Sequence, residues 1–321
     1  MITLSKIAKL ANVSVSTASK AFSGSLEVNE ETRNMIFDIA KKHQCFKKFY
    51  NVKYPKLVIA IIAPEFKSAY YTRYLSYIQE NLEKKNCELC VSTTNFSSLK
   101  EKELLEYYYK HSDVDGIIVI QSHLDTVNEY EIPVVFLNSI SRQVYDVSVL
   151  HDFTPALCEV VNYLADKKVD SIGFIGENLT REKQKIFKHL LEERGINLKE
   201  NYVSISDTRF EEGGYDAMEK LFSKGQLPRA VVCAYDYMAI GAIRCILDHG
   251  LSVPNDIAVM GSDDILEAKF LNPPLASIST PIEEMCKIAT DSIIKKINNN
   301  NFKLNQSVTS QFKLRKSFEI L

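Results

Sequence analysis

Between Ser14 and Phe22 the chain sets short hydroxyl side chains and one cation at a spacing suited to reading duplex DNA. Val15, Ser16, Thr17, Ser19 and Lys20 fall on the outer faces of a helix whose inner stripe is Ala18, Ala21 and Phe22. A helix so free of bulk fits the major groove, where hydroxyls and an ammonium can reach base edges. A preceding helix must hold it, and Leu4, Ile7, Ala8 and Ala11 supply that helix with one apolar face. Thr3 and Ser14 are N-cap residue types, Asn12 suits a left-handed turn, and Val13 can plug the corner. Asn29 can cap a third helix with Met35, Ile36, Ile39 and Ala40 as its buried stripe, ending near His43. The plainer alternative is an ordinary helical hairpin inside a core. The DNA-facing candidates are Thr3, Ser14, Val15, Ser16, Thr17, Ser19, Lys20 and Asn29. Lys47, Lys48 and Lys53 of the basic stretch that follows are candidates for phosphate contacts.

The charge distribution favours the nucleic-acid reading. The whole chain of 321 residues carries a formal net charge of −2, yet residues 1–56 carry about +6 and the remainder about −8. A basic head on an acidic body is the balance expected of a DNA-binding module attached to something else. The composition, 45% hydrophobic and 25% charged, suits a globular chain with room for two or three domains. No apolar run reaches membrane-spanning length, and Ser5 and Lys6 interrupt any signal-peptide pattern at once, so a cytoplasmic protein is expected. The seven cysteines lie mostly in apolar, strand- or helix-like stretches. Cys87 and Cys90 have CxxC spacing, but on a strand i and i+3 point to opposite faces, which favours reduced core thiols over a zinc or redox site.

No catalytic set stands out: there is no P-loop, no HExxH and no GxSxG. Gly173 and Gly176 sit on an apolar strand without a nucleophile, and Gly213 and Gly214 begin a helix without GxGxxG spacing. No enzyme activity, metal or cofactor is called for.

From Leu57 onward apolar strands alternate with helices. LVIAIIA, a helix over 70–85, ELCVSTT, a helix over 101–110, DGIIVIQ and PVVFLN form one series. DVSVL, a helix over 154–166, SIGFIG, 181–194, YVSIS, 210–222, RAVVCA, 237–248 and IAVMGSDD form a second. Strands this apolar predict α/β architecture with two doubly wound parallel sheets covered on both faces, and a ligand cleft at the strand carboxyl ends. A last helix over 282–296 and closing strands follow.

IAKLANVSVSTASKAFSG, followed by VNEETRNMIFDIAKKH, resembles the DNA-binding head of the lac repressor family (LacI/GalR), and VPNDIAVMGSDD with LNPPLASISTP is a second long match. The resemblance implies a helix-turn-helix head at 1–45, a linker at 46–56, and a periplasmic-binding-protein-like body at 57–321. Its first lobe would span about 57–151 plus 281–306, and its second about 152–280 plus 307–321, with crossings near His151, Thr280 and 300–308. It implies base contacts from Val15, Ser16 and Lys20. Family members usually have arginine where Lys20 stands, and a lysine offers a point charge in place of a bidentate fork. The family's YxPNxxARSL hinge is missing, and the linker is about one helical turn shorter, too little for a stable hinge helix.

The same resemblance implies an effector site between the lobes. Tyr70 and Tyr71 keep the aromatic pair of the family's first loop, although tyrosine pairs also serve packing. Lys183, counted back from Phe187, falls on a ligand arginine's position, with Arg181 two before it; a solvated helix start is the rival reading. Phe210 matches a stacking aromatic, Asp236 the ND-x-x-A-x-G motif, and Asp263 the GxDD turn, the two aspartates as hydroxyl acceptors. Asp152 matches another family aspartate at the crossing, with a structural role equally open. The expectation is a homodimeric transcriptional regulator, most simply a repressor of carbohydrate-utilisation genes, with operator DNA and a sugar as partners and no membrane. The alternatives are a non-sugar effector such as a purine, a sugar solute-binding protein, and a sugar-processing enzyme.

Overall fold

The computed structural model describes residues 2–52, 55–124, 130–138, 145–225 and 227–320. The chain divides into two units, residues 1–57 and 58–321. Lys53, named as a phosphate contact, lies outside the described residues.

The head is built from α1 (Leu4–Leu10), α2 (Val15–Phe22), α3 (Glu30–Lys42) and a single turn, α4 (Phe46–Phe49). Three side-chain caps start the long elements: Thr3 accepts from the Lys6 N–H, Ser14 from Thr17 and Asn29 from Thr32. Each cap satisfies a backbone donor that has no partner inside the helix. Asn12 makes the turn between α1 and α2 with φ 52°. Ile7, Ala11, Phe22, Ile36 and Ala40 form the core, with Val13 packed against it. Met35 departs from the predicted stripe. It is 42% exposed, because the core of so small a unit takes only the Ile36 and Ala40 face of α3.

The linker expected at 46–56 is corrected over its first half. Phe46 and Phe49 lie with ring centroids 6.2 and 5.6 Å from Phe22, and Phe46 is 4.9 Å from Phe37. The Asn51 N–H donates to the Phe22 carbonyl at 3.1 Å. These aromatic rings bury apolar area on the head that extended chain would leave in water, which outweighs the lysines between them. The head therefore extends past residue 45.

In the body, β1 (Leu57–Ala63), α5 (Ala69–Glu83), β2 (Cys87–Thr93), α6 (Ser98–His111), β3 (Gly116–Ile120), β4 (Val134–Leu137) and β5 (Val147–Asp152) open the first lobe. The second lobe follows with α7 (Thr154–Asp166), β6 (Ile172–Glu177), α8 (Arg181–Glu192), β7 (Val203–Ser206), α9 (Phe210–Ser223), β8 (Ala230–Cys233), α10 (Asp236–Asp248), β9 (Ala258–Ser262) and β10 (Ala276–Ser279). The chain then returns through α11 (Ile282–Asn298) and β11 (Leu304–Thr309) to the first lobe and ends on β12 (Gln311–Lys313) in the second.

Among the described residues each lobe holds a six-stranded sheet, ordered β11-β5-β4-β3-β1-β2 and β12-β10-β9-β8-β6-β7. The pairings β1–β3, β3–β4, β4–β5 and β5–β11 are parallel in the first sheet. In the second, β12 runs antiparallel to β10 against otherwise parallel neighbours. Two expectations change here. The strand DVSVL, read with the second series, is β5 and pairs with β4 in the first lobe. The last crossing comes at Ser310 rather than within 300–308, because β11 stays in register with β5 as far as Thr309 opposite Asp152.

The paired glycines of α9 also find a reason. A Cβ on Gly214 would meet the Met238 carbonyl oxygen at 2.0 Å, and one on Gly241 the Glu211 oxygen at 1.9 Å. Only glycine lets α9 and α10 cross backbone to backbone.

Candidate functional site

On the head, Val15, Ser16, Ser19 and Lys20 are exposed on α2 while Ala18, Ala21 and Phe22 are buried. Thr17 is half-buried and its hydroxyl lies 2.8 Å from that of Ser14. Thr3, Ser14 and Asn29 are exposed at helix starts with their side-chain oxygens engaged as caps. Their structural role is therefore secure, whatever else they touch. Lys20 forms an ion pair with Glu27 on the loop after α2. Arg33 braces that loop by donating to the Ser25 and Val28 carbonyls at 2.7 and 3.0 Å. Lys47 and Lys48 are exposed on α4.

The body carries a cavity of about 320 Å³ between its lobes, inside the ~300–1,000 Å³ range of small-molecule sites. The first lobe contributes Ser68, Tyr70, Tyr71, Phe96, Gln121 and Asn138, and the second Glu177, Lys183, Arg209, Phe210 and Asp263. Five of these, Phe96, Gln121, Asn138, Phe210 and Asp263, have positive φ, from 50s to 100°. Left-handed backbone costs a non-glycine residue about 1 kcal/mol or more, and such residues concentrate where a strand end must turn a side chain into a site.

Each wall has its own chemistry. In the first lobe, the Tyr71 hydroxyl donates to Gln121 Oε1 at 2.5 Å, and Asn138 Nδ2 donates to the Tyr70 hydroxyl at 3.1 Å. Burial holds the Tyr70 phenol above its ordinary pKa, so it stays a neutral hydroxyl. The Ser68 hydroxyl is buried without a hydrogen-bond partner among the described residues, an orphan that a ligand hydroxyl could satisfy.

In the second lobe, Asp263 is half-buried, and loss of hydration raises its pKa to about 6, against the pull of Lys183 and Arg73. Burial likewise lowers the Lys183 ammonium, whose Nζ donates to the Ala234 carbonyl at 2.7 Å. Arg209 joins the two walls. It bonds Glu177 at 3.1 Å and reaches across to Glu65 of the first lobe at 3.2 Å. Its guanidinium also lies 4.9 and 4.6 Å from the Phe96 and Phe210 ring centroids. A second bridge runs from Arg73, which donates to the Asp263 and Asp264 carbonyls at 3.1 Å each. At the crossings, His151 Nε2 lies 2.5 Å from the Ser310 hydroxyl, and burial lowers its pKa to about 4, so the ring is neutral at pH 7. Asp152 accepts from the Thr154 N–H at 3.0 Å, the structural role left open for it.

Two predicted effector residues are not in the cleft wall. Asp236 is 0% exposed. Its carboxylate accepts from the Ile265 N–H at 2.9 Å and the Ser277 hydroxyl at 2.7 Å. Gly261 makes room for it, since a Cβ there would sit 2.2 Å from Asp236 Oδ1. Asp236 pins the loop after β9 from beneath, behind Asp263. Arg181 points to solvent and bonds the Asn178 side chain at 3.2 Å, because the first turn of α8 turns Lys183, not Arg181, inward. Arg209, Glu65, Glu177, Ser68 and Gln121 were missed. Their roles come from partners far away in sequence; only the position of each at a strand end could have drawn attention.

A helix-turn-helix head joined to a two-lobed parallel-sheet body with an interlobe cleft defines a class: a DNA-binding module coupled to a small-molecule receptor. Residues 3–44 match bacterial regulatory proteins of the lacI family, and residues 161–318 match the periplasmic binding protein-like domain. The ribose operon repressor of Haemophilus influenzae is 26% identical over 313 residues, covering 94% of this chain and 93% of the relative. The transcriptional repressor PurR of Salmonella newport is 28% identical over 315 residues, 93% of this chain and 91% of the relative. In fold, the chain is similar to the regulator CelR in complex with cellobiose, with TM-score 0.71 and 22% identity over 99% of this chain and 100% of that one. The lac repressor dimer bound to operator and the anti-inducer ONPF gives TM-score 0.73 and 20% identity over 98% of each chain. The chain belongs to the LacI family of bacterial transcriptional regulators. Among the described residues no helix is long and apolar enough to cross a membrane.

Proposed function

We propose that the protein is a homodimeric operator-binding repressor of carbohydrate-utilisation genes, controlled by a neutral sugar held between the lobes. The observation that carries the ligand class is the charge balance of the cleft. Arg209 is paired with Glu65 and Glu177, and the Lys183 charge faces that of Asp263, while Asp263, the further N–H donors of Lys183 and the orphan Ser68 hydroxyl can meet hydroxyl groups. That set suits an uncharged polyol better than an anion, and Tyr70 and Phe210 offer ring faces for its C–H surface. The cellobiose bound by the similar CelR structure supports the same class.

In the dimer, two α2 helices would enter successive major grooves about 34 Å apart on a near-palindromic site. Control requires that the sugar bind the DNA-competent and DNA-incompetent states unequally. A ligand touching both lobes can do this by competing with or reinforcing the Arg209–Glu65 and Arg73–Asp263 bridges, which span the two lobes. A thermal-shift panel of mono- and disaccharides, their phosphates and purines tests the class, followed by gel shifts on the operator with each hit. A neutral sugar that raises the melting temperature and alters operator affinity, with both effects lost in Asp263→Ala, is expected. Stabilisation by purines or sugar phosphates alone would overturn the sugar reading.

A further inference from the structure

At the end of α9 and α10 remote from the cleft-lining Phe210 and Tyr237, a second group of side chains converges. About one turn beyond the glycine crossing, Glu219 of α9 faces Cys245 of α10, and His249 caps α10 four residues after Cys245. Cys245 Sγ lies 3.3 Å from Glu219 Oε2, and His249 Nε2 lies 3.4 Å from Glu219 Oε1. Cys245 Sγ is 3.9 Å from His249 Nδ1. One ligand atom from each of the three falls within 4.8 Å of the others. A tetrahedral zinc ion with bonds of ~2.0–2.3 Å spaces its ligand atoms ~3.4–3.6 Å apart. The two Glu219 contacts already stand at about that spacing, and the cysteine–histidine pair, within 4.8 Å, closes to it by a small side-chain rotation.

The imidazole is also oriented for such a role. Its Nδ1 lies 3.0 Å from the Cys245 carbonyl, which accepts the ring proton there, and the ring stacks on Phe222 at 3.9 Å and 10°. A backbone carbonyl on one nitrogen and a packed ring face are what fix the tautomer of a metal-binding histidine. With the proton on Nδ1, the Nε2 lone pair faces a carboxylate oxygen, acceptor against acceptor. Either a second ring proton or a metal cation resolves that conflict. Glu219 and His249 are partly exposed while Cys245 is buried, so an ion has a path from solvent and a soft ligand at its inner end.

We propose that Glu219, Cys245 and His249 form a zinc-binding site that ties α9 to α10, with water in the fourth position. On binding, the metal replaces the thiol proton, which leaves to solvent, and a zinc–thiolate bond forms. This site is independent of the sugar reading, since none of the three residues lines the cleft.

The test is titration of the full-length, reduced, metal-stripped protein with cobalt(II). One equivalent per chain should give a near-ultraviolet thiolate-to-cobalt absorption that zinc displaces. Glu219→Gln and His249→Gln, both at partly exposed positions, should each weaken binding at least about tenfold. Cys245→Ser should abolish the thiolate absorption, and Cys158→Ser should leave it unchanged. No saturable binding, an absorption that survives Cys245→Ser, or wild-type affinity in both Glu219→Gln and His249→Gln would leave the cluster as an imidazolium–carboxylate ion pair and overturn the proposal.

Discussion

In the head, Val15, Ser16 and Lys20 stand within one and a half turns of a single helix, and their outward direction follows from what Ala18, Ala21 and Phe22 bury. In the cleft, Tyr70, Gln121, Lys183, Arg209 and Asp263 converge from five separate strand ends in two sheets. The first surface is what remains when a local apolar stripe is removed. The second exists only when two sheets fold and three crossings set them face to face. Substitutions in the head should therefore subtract contacts one at a time, whereas substitutions around the cleft should spread through shared partners.

The largest effect is expected where Asp236, beneath the cleft, and Asp263, in its wall, divide roles. Asp236→Ala strands the Ile265 N–H and the Ser277 hydroxyl beneath the cleft, and should destabilise the body by about 2–5 kcal/mol in urea unfolding. A loss below about 0.5 kcal/mol, with sugar response abolished, would return Asp236 to the ligand. Lys20→Ala should weaken operator affinity about 10- to 100-fold in gel shifts while leaving effector binding unchanged, the behaviour of one lost base contact. Unchanged specificity would show that Lys20 serves only its Glu27 pair.

The Asp263 carboxyl gives a test in pH. Its folded pKa of about 6 stands above the ordinary carboxyl value of 3.8, so folding disfavours its charge. The penalty is present above about pH 6 and fades as pH falls toward 4, because the folded state then takes up its proton first. Asp263→Asn should raise stability by about 1–2 kcal/mol at pH 7 and flatten the profile between pH 4 and 6. A sugar hydroxyl donating to the ionised carboxylate should bind more weakly as pH falls through about 6 in the wild type but not in Asp263→Asn; calorimetry at pH 5 and 7.5 measures both. The smallest effect is that of Glu65→Gln. It removes one partner of Arg209 while Glu177 remains, and should shift effector affinity only about three- to tenfold, with a larger radius of gyration by X-ray scattering. An affinity change as large as that of Asp263→Ala would mean the two lobes are held by this pair alone.

Much of the architecture could be read before any coordinates, because it rests on short-range rules. The caps at Thr3, Ser14 and Asn29 lie three residues from the N–H groups they serve. The apolar strands leave little room for anything but buried parallel sheets. Asp263, Lys183, Phe210 and the tyrosine pair, which line the cleft, were reachable through the family resemblance, whose motifs set their register. What failed did so through distance. Phe46 and Phe49 read as linker because their partners, Phe22 and Phe37, lie upstream across a turn.

Residue types, spacing and the charge split along the chain determined by themselves that a basic, hydroxyl-faced helix precedes two α/β lobes. They could do so because caps, periodicity and strand apolarity act over a few residues. Only the tertiary structure decided which aspartate faces the cleft. Gly261 gives up its side chain so that the carboxylate of Asp236 can sink beneath the loop, and Asp263, turned outward on a left-handed backbone, is the one left at the surface of the cleft. Burial is a property of what packs above a residue, and here that comes from segments up to 41 positions away, at Ser277.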